Sequence, residues 1–199
     1  MTKVLVLRSA ATGAASVSNR LIDTYLDALR AKGDITVTDR NLDTDPVPHV
    51  TSQTLAGIGR PAPETEAAKP TRELADKLIG ELFDNDLFVI GLPMYNFGIP
   101  STLKAWFDHV LRAGTTFQYS AQGPEGLVKG KKAIVVQARA GVYEDNNPAA
   151  VALPHLKVLL GFMGVTDVEV VTAEGLAFGE DAAKAAIAGA GEKLAALAA

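Results

Sequence analysis

The 199-residue sequence contains no cysteine. This absence excludes disulfides, thiolate metal ligands and cysteine nucleophiles. Basic residues are also outnumbered, because 19 Lys and Arg face 23 Asp and Glu and give a formal net charge of −4. Proteins that bind nucleic acid neutralise its phosphates with a basic surface, so we expect no nucleic-acid partner.

Long apolar runs are missing as well. The only apolar run before Arg8 is Val4–Leu7, which is shorter than the roughly 7–15 apolar residues of a secretory signal. No run reaches the about 18–20 apolar residues that a membrane span requires. We therefore expect a cytoplasmic protein without a membrane partner.

Histidine is sparse, and the three residues His49, His109 and His155 lie far apart in the sequence. None has a second histidine one helical turn away or a nearby pair of acids, so no metal site is expected. We expect His109 on the polar face of its helix or at an interface.

Several catalytic and nucleotide-binding motifs are also missing. There is no G-x-S-x-G elbow and no G-x-G-x-x-G turn, and Gly130-Lys131-Lys132 precedes a strand rather than a helix. The sequence shows no evident side-chain acid, base or nucleophile. We therefore expect a cofactor to supply the difficult chemistry, and we expect no catalytic side chain from the protein.

Short β-branched runs alternate with helical periodicity along the chain. Strands are predicted at Val4–Leu7, Ile35–Thr38, Leu87–Leu92, Ala133–Gln137 and Val168–Thr172, and helices at 16–31, 71–84, 100–112, 148–161 and from 181 onward. This alternation is typical of an α/β fold with a parallel sheet and helices on both faces. The length and five strands favour a single flavodoxin-like domain over residues 1–199, with strand order 2-1-3-4-5. A proline-containing loop (41–70) and an excursion (115–129) interrupt the alternation.

Three segments with ligand-binding character follow strands one, three and four. They are Ser9–Ser18, Pro93–Gly98 and Ala138–Tyr143. In the expected strand order these strands are neighbours, and ligands bind beyond the carboxyl ends of such strands. We therefore expect one composite site. The aromatic and amide groups of Pro93–Gly98 suit a flat, polar-edged ring, although they could instead fill the core.

The segment Ser16-Val17-Ser18 stands at a helix start. Hydroxyls and unpaired N–H groups at such a position can hold an anion, with help from the helix dipole. A mononucleotide phosphate would suit this segment. The alternative is that Ser16 or Ser18 only caps the helix.

Several stretches, taken together and in this order, resemble one known family. They are Lys3-Val4-Leu5-Val6-Leu7, Pro93-Met94-Tyr95-Asn96-Phe97, Pro100-Ser101-Thr102-Leu103-Lys104, Thr116-Phe117-Gln118-Tyr119, Gly123-Pro124-Glu125-Gly126-Leu127, Gly130-Lys131-Lys132-Ala133, Leu160-Gly161-Phe162-Met163-Gly164-Val165 and Ala173-Glu174-Gly175. The chain resembles the FMN-dependent NADH-azoreductases, also described as NADH:quinone oxidoreductases, over nearly its whole length.

This resemblance implies a flavodoxin-like homodimer with one FMN per subunit. The residues implied in cofactor binding are Ser16, Val17 and Ser18 at the phosphate, Met94, Tyr95, Asn96 and Phe97 around the isoalloxazine, Ala138, Arg139, Ala140 and Gly141 at its pyrimidine edge, and also Ser9 and Ala10. The family often carries hydroxyl or glycine residues where this chain has Ala10, Ala138 and Ala140, and some members have histidine in place of Tyr143.

The activity expected from this resemblance is hydride transfer from NADH or NADPH to flavin N5, followed by reduction of a quinone or azo compound in ping-pong order. The aromatic residues Tyr119, Tyr143 and Phe162 are candidates for the substrate wall, because flat substrates prefer such surfaces. Arg60 is a candidate for a nucleotide phosphate. The alternatives are core packing for Phe162 and simple solvation for Arg60.

The helix predicted at 100–112 carries a broad apolar stripe, formed by Leu103, Trp106, Phe107, Val110 and Leu111. Its width exceeds what one sheet contact needs, so it is predicted to be a dimer surface. Two other functions stay open: a flavodoxin-type electron carrier that does not oxidise NADH, and a non-catalytic regulator on the same scaffold.

Overall fold

The computed structural model describes residues 1–144 and 147–198, along which strands and helices alternate. The strands are β1 (Thr2–Arg8), β2 (Ile35–Asn41), β3 (Leu87–Pro93), β4 (Phe117–Ser120), β5 (Gly123–Gly126), β6 (Lys132–Ala138) and β7 (Asp167–Ala173). The helices are α1 (Val17–Lys32), α2 (Leu55–Ile58), α3 (Lys69–Asp84), α4 (Ser101–Val110), α5 (Ala152–Met163) and α6 (Glu180–Leu197).

Five of these strands form one parallel sheet in the order β2-β1-β3-β6-β7. The predicted order 2-1-3-4-5 is confirmed, since β4 and β5 form a separate antiparallel hairpin within the 115–129 excursion. The strand ends are level, because Pro93 pairs with Ala138 and Ala138 pairs with Ala173. The segments that follow these strands therefore emerge at one edge of the sheet.

Successive strand residues point to opposite faces of the sheet and pack in two hydrophobic cores, one on each face. Leu5 and Phe88 pack on one face with side chains of α3, α4 and α5. Val4 and Val89 pack on the other with side chains of α1 and α6. The central strand β3 is buried along its whole length, which explains its nearly continuous apolar sequence.

The 41–70 loop contains more structure than the sequence predicted, because it includes α2 and a 3-10 turn at Glu66–Ala68.

The bounds of helix α5 also differ from the prediction. Helix α5 begins at Ala152 rather than at 148, because Asn147 forms a turn in which its carbonyl accepts from the N–H of Ala150 at 2.9 Å. It continues past the predicted stop and ends at Gly164, whose φ of +102° is left-handed.

The apolar stripe of α4 was predicted to be a dimer surface because of its width, and this reasoning is wrong. Leu103, Trp106, Phe107 and Val110 are buried in the core of the same chain, and Leu111 packs against that core. Helices α2 and α3 contact α4 and help the sheet cover its apolar stripe.

His109 is buried on this helix, with Nδ1 2.9 Å from the carbonyl oxygen of Ala105. The prediction of a polar-face or interface position for it was therefore wrong. No helix in the described ranges has the length and apolar character needed to cross a membrane.

Candidate functional site

A pocket of about 310 Å³ opens at the carboxyl edge of β1, β3 and β6. Its lining is Thr12, Ala15, Ser16, Val17, Ser18, Pro93, Met94, Tyr95, Ala138, Arg139, Ala140, Leu176 and Ala177. The fold thus brings together residues from all three segments that the sequence singled out. The other five residues assigned to cofactor binding, Ser9, Ala10, Asn96, Phe97 and Gly141, adjoin this lining in the sequence.

The first wall of the pocket is the start of α1. Ser16 is the N-cap, and its Oγ accepts the N–H of Asn19 at 3.1 Å and lies 3.2 Å from Oγ of Ser18. Ser16 therefore caps the helix. The N–H groups of Val17 and Ser18 have no intrahelical acceptor by helix geometry, and the dipole is positive at this end. The helix start can still receive an anion.

The second wall is the segment after β3, which forms a two-residue turn. The N–H of Tyr95 donates to Gly98 O at 3.1 Å and that of Gly98 donates back at 3.0 Å, while φ is +46° at Asn96 and +73° at Phe97. Positive φ at both central residues is the type I′ pattern, which usually favours Asn-Gly. A bulky residue at +73° is strained, and strain of this kind clusters at functional sites.

Two hydrogen bonds tie the loop after β1 to β3 and to the segment that follows it. The Tyr95 hydroxyl accepts the N–H of Ala11 at 2.9 Å, and Oγ of Ser9 donates to Gly91 O at 2.7 Å. Ser9 is buried, and so is Ala10. Ser9 therefore joins the loop after β1 to the strand β3.

The third wall follows β6 and offers backbone groups. The carbonyls of Arg139 and Ala140 accept the N–H groups of Leu176 and Ala177 at 3.4 and 3.0 Å. In a trans peptide the next N–H points opposite to the carbonyl. The N–H groups of Ala140 and Gly141 are therefore directed away from the 174–178 segment, where a ligand can accept them.

The Arg139 side chain is engaged inside the protein. Its Nε and Nη2 donate to Oε2 of Glu174 at 2.9 and 2.5 Å, and Nη2 also donates to Tyr143 O at 3.1 Å. Its guanidinium also lies 5.4 Å from the centroid of the Tyr143 ring. This positive charge ties the loop after β6 to the loop after β7 and is largely neutralised there.

The four candidate substrate residues lie outside this lining. Tyr143 borders it beside Arg139, whereas Tyr119 and Phe162 flank Phe117 with ring centroids 5.6 and 4.4 Å from it. Phe162 lies in the last turn of α5, which runs from the carboxyl end of β6 towards the start of β7, so it lies near the opposite edge of the sheet.

Arg60 lies against Gly114, where an added Cβ would be 3.2 Å from its Nε. Of the four candidates, only Tyr143 therefore lies near the pocket within one chain.

Sequence reasoning missed Leu176 and Ala177. Both follow β7, and the rule that ligands bind beyond carboxyl ends of parallel strands applies to that strand as well. In the sequence, the segment after β7 was marked only by Ala173-Glu174-Gly175, one of the stretches that resemble the azoreductase family. Within the described ranges, no three His, Asp or Glu side chains are grouped so that they could hold a metal ion.

The fold and this edge of the sheet define a flavodoxin-like protein, and the chain belongs to that family. A family profile described as "Flavodoxin-like fold" matches residues 2–198. The resemblance seen in the sequence is confirmed by curated relatives named FMN-dependent NADH:quinone oxidoreductase. One from Hyphomonas neptunium is 47% identical over 193 residues, covering 96% of this chain and 92% of that protein. One from Shewanella amazonensis is 44% identical over 195 residues, covering 98% of each.

Solved structures give the same result. A crystal structure of azoreductase from Bacillus anthracis str. Sterne superposes with a TM-score of 0.88 at 31% identity, covering 100% of this chain and 99% of that one. An FMN-dependent NADH-azoreductase from Bacillus anthracis str. Ames Ancestor, in complex with FMN, gives a TM-score of 0.86 at 26% identity over 100% of both chains.

Proposed function

We propose that this protein is an FMN-dependent oxidoreductase that uses NADH or NADPH to reduce quinones and azo compounds. The observation that carries the proposal is the pocket, which combines a helix start that can receive an anion, an aromatic loop and backbone N–H groups that can donate to a ligand. The names of the relatives, 44% and 47% identical, support the same activity.

The residues present fit FMN. The N–H groups of Val17 and Ser18, with the Ser18 hydroxyl, would hold the phosphate without a basic side chain. Met94 and Tyr95 line the middle of the pocket beside Asn96 and Phe97 and would contact the flat ring. The lining is formed largely by small and apolar side chains, as ligand pockets generally are.

At the far end, the N–H groups of Ala140 and Gly141 would donate to the polar pyrimidine edge. The small side chains of Ala138 and Ala140 leave room for a ligand to approach the backbone. Preorganised donors of this kind stabilise negative charge that develops on the ring.

The chemistry that FMN supplies when bound is two-electron hydride transfer through N5, from NADH or NADPH to a quinone or an azo compound. The protein's part is to position the ring and exclude water. Because donor and acceptor would use the pocket in turn, we expect ping-pong kinetics with parallel double-reciprocal lines. Intersecting lines would contradict this order.

The first test is a visible spectrum of the purified protein before and after anaerobic NADH. We expect oxidised-flavin bands that bleach with NADH and return when benzoquinone is added. Flavin bands that ignore NADH would favour the electron carrier instead. A protein that binds no flavin, even with added FMN, would favour the non-catalytic regulator.

The homodimer belongs to this proposal, with one FMN-binding domain per subunit and a cytoplasmic location. The surface that supports it is on α5 rather than α4. Val151, His155, Val158 and Phe162 recur at helical spacing, and Val151 and Val158 are exposed. Such an apolar face on a surface helix favours a second copy of the chain. We call these four residues the α5 stripe.

A dimer would also give the distant candidate residues a role. Tyr119 and Phe162 lie near one another around Phe117 and away from the pocket of their own chain. We propose that they, with Arg60, complete the substrate wall of the partner's pocket. Wild-type protein that reduces benzoquinone as a monomer would contradict this.

A further inference from the structure

Two large apolar side chains are exposed on loops that also carry pocket-lining residues. Val142, on the loop after β6, is 56% exposed, and Phe178, on the loop after β7, is 67% exposed. They lie against the same glycine, because a Cβ added to Gly175 would be 3.3 Å from Cδ2 of Phe178 and 3.5 Å from Cγ2 of Val142. We call Val142 and Phe178 the apolar shelf.

The two shelf residues follow pocket-lining residues on both loops. Leu176 and Ala177 line the pocket and stand between Gly175 and Phe178 in the chain. On the other loop, Ala140 lines the pocket two residues before Val142. A ligand in the pocket whose tail extends along these loops would reach the shelf.

The shelf is also held in place. The N–H of Gly175 donates to Gly141 O at 3.2 Å, and that of Ala177 donates to Ala140 O at 3.0 Å. The ion pair between Arg139 and Glu174 joins the same two loops. Because these loops are already held together, little conformational entropy is lost when a ligand binds here, and this favours affinity.

Two ion pairs lie close to the shelf residues in the chain. Arg139 is paired with Glu174, and Glu180, two residues beyond Phe178, is paired with Lys184. A charged ligand would have to compete with these ion pairs, whereas a neutral hydrocarbon would not. The ligand that suits the shelf is therefore apolar and uncharged.

We propose that the apolar shelf binds the hydrocarbon side chain of a quinone whose ring occupies the pocket. This inference rests on the proposed function and names its substrate class: quinones with a long apolar tail, such as an isoprenoid chain. Each methylene buried on binding is worth roughly a fourfold gain in affinity. A quinone whose tail covers even part of Phe178 would therefore bind more tightly than a quinone without a tail.

The test compares decylubiquinone, which has a ten-carbon tail, with duroquinone, which has none. In the double variant Val142→Thr and Phe178→Gln, we expect KM for decylubiquinone to rise about tenfold, while KM for duroquinone stays within about twofold. The rate constant kcat should be unchanged for both. The matched control is Phe83→Gln, because Phe83 is also exposed, at 39%, and lies in the last turn of α3 at the opposite edge of the sheet.

A second measurement avoids turnover. Calorimetric titration of the oxidised protein with decylubiquinone, without NADH, should give a Kd about tenfold weaker in the double variant than in wild type or Phe83→Gln. Equal effects on both quinones, or no effect on either, would overturn the proposal. A variant that changes oligomeric state would show instead that the shelf is a subunit interface. Failure of the proposed function itself would appear differently, as wild-type protein that does not reduce duroquinone with NADH.

Discussion

Phe97 has a φ of +73°, a backbone conformation that its Cβ disfavours. Asn96 precedes it at +46°, but asparagine adopts this region more readily because its short side chain can bond locally. The bulkier residue therefore carries more of the strain in this turn. Because strained backbone clusters at functional sites, we propose that the ring of Phe97 has a role in ligand binding.

The strain at Phe97 can be measured. We expect Phe97→Gly to raise the free energy of unfolding by about 1 kcal/mol, since glycine adopts positive φ without penalty. The same variant should reduce benzoquinone more slowly, because it removes a side chain proposed to contact the flavin. Urea unfolding gives the first quantity and steady-state kinetics the second.

The matched variant is Asn96→Gly, which should stabilise less than Phe97→Gly. Equal stabilisation by the two glycines would show that Phe97 stores no particular strain. A less stable Phe97→Gly protein would mean that the ring packs more strongly than its exposure suggests.

Among the elements, the strands of the sheet were predictable and the helix ends were not. Apolar β-branched runs such as Val4–Leu7 and Leu87–Leu92 lie inside β1 and β3, because burial on both faces leaves a continuous signal. The start of α5 depends on a turn at Asn147, which helical periodicity does not report. Short-range patterns also cannot show that Tyr119 and Phe162 lie far from the pocket, since that depends on the direction of α5.

The hairpin β4–β5 packs backbone to backbone against the end of α5. A Cβ on Gly126 would lie 2.1 Å from Gly164 N, so Gly126→Ala must push the hairpin and helix apart. We expect it to lower the free energy of unfolding by about 1–3 kcal/mol, as overpacking does. Urea denaturation followed by circular dichroism measures this.

The control for that variant is Gly189→Ala on α6, where an added Cβ meets nothing within 4 Å. It should be stabilising by up to about 1 kcal/mol, since alanine is the better helix former. Similar losses from both alanines would contradict close packing at Gly126.

For the whole molecule, the proposed dimer depends on an apolar face, and its disruption should separate the subunits. We expect Val158→Glu to yield a monomer that retains FMN but reduces quinones poorly, because a buried carboxylate at the α5 stripe is costly. Light scattering and flavin absorbance distinguish these outcomes. Ala185→Glu, on the exposed side of α6, is the control, and a Val158→Glu dimer would exclude the α5 stripe as the interface.

The stability of the molecule should also depend on His109. Burial lowers the pKa of this histidine below its ordinary value of 6.5, against weaker opposing effects of Ala105 O and Asp108. The unfolded chain therefore takes up the proton more readily, so stability is complete above about pH 6.5 and is lost as the pH falls below it. His109→Gln should flatten this acid-side decline in urea midpoints, and an unchanged decline would assign it to other groups.

In the proposed site, the loop after β6 offers a ligand its peptide groups rather than its side chains, and hydrogen bonds from the 174–178 segment hold the orientation of those peptides. A mutation at Ala138 or Ala140 that keeps the backbone path leaves the N–H donors where they are. The sequence can therefore change among small residues at these two positions while the N–H donors stay in place. Proteins related to this chain would share the backbone conformation of this loop even where its sequence has diverged.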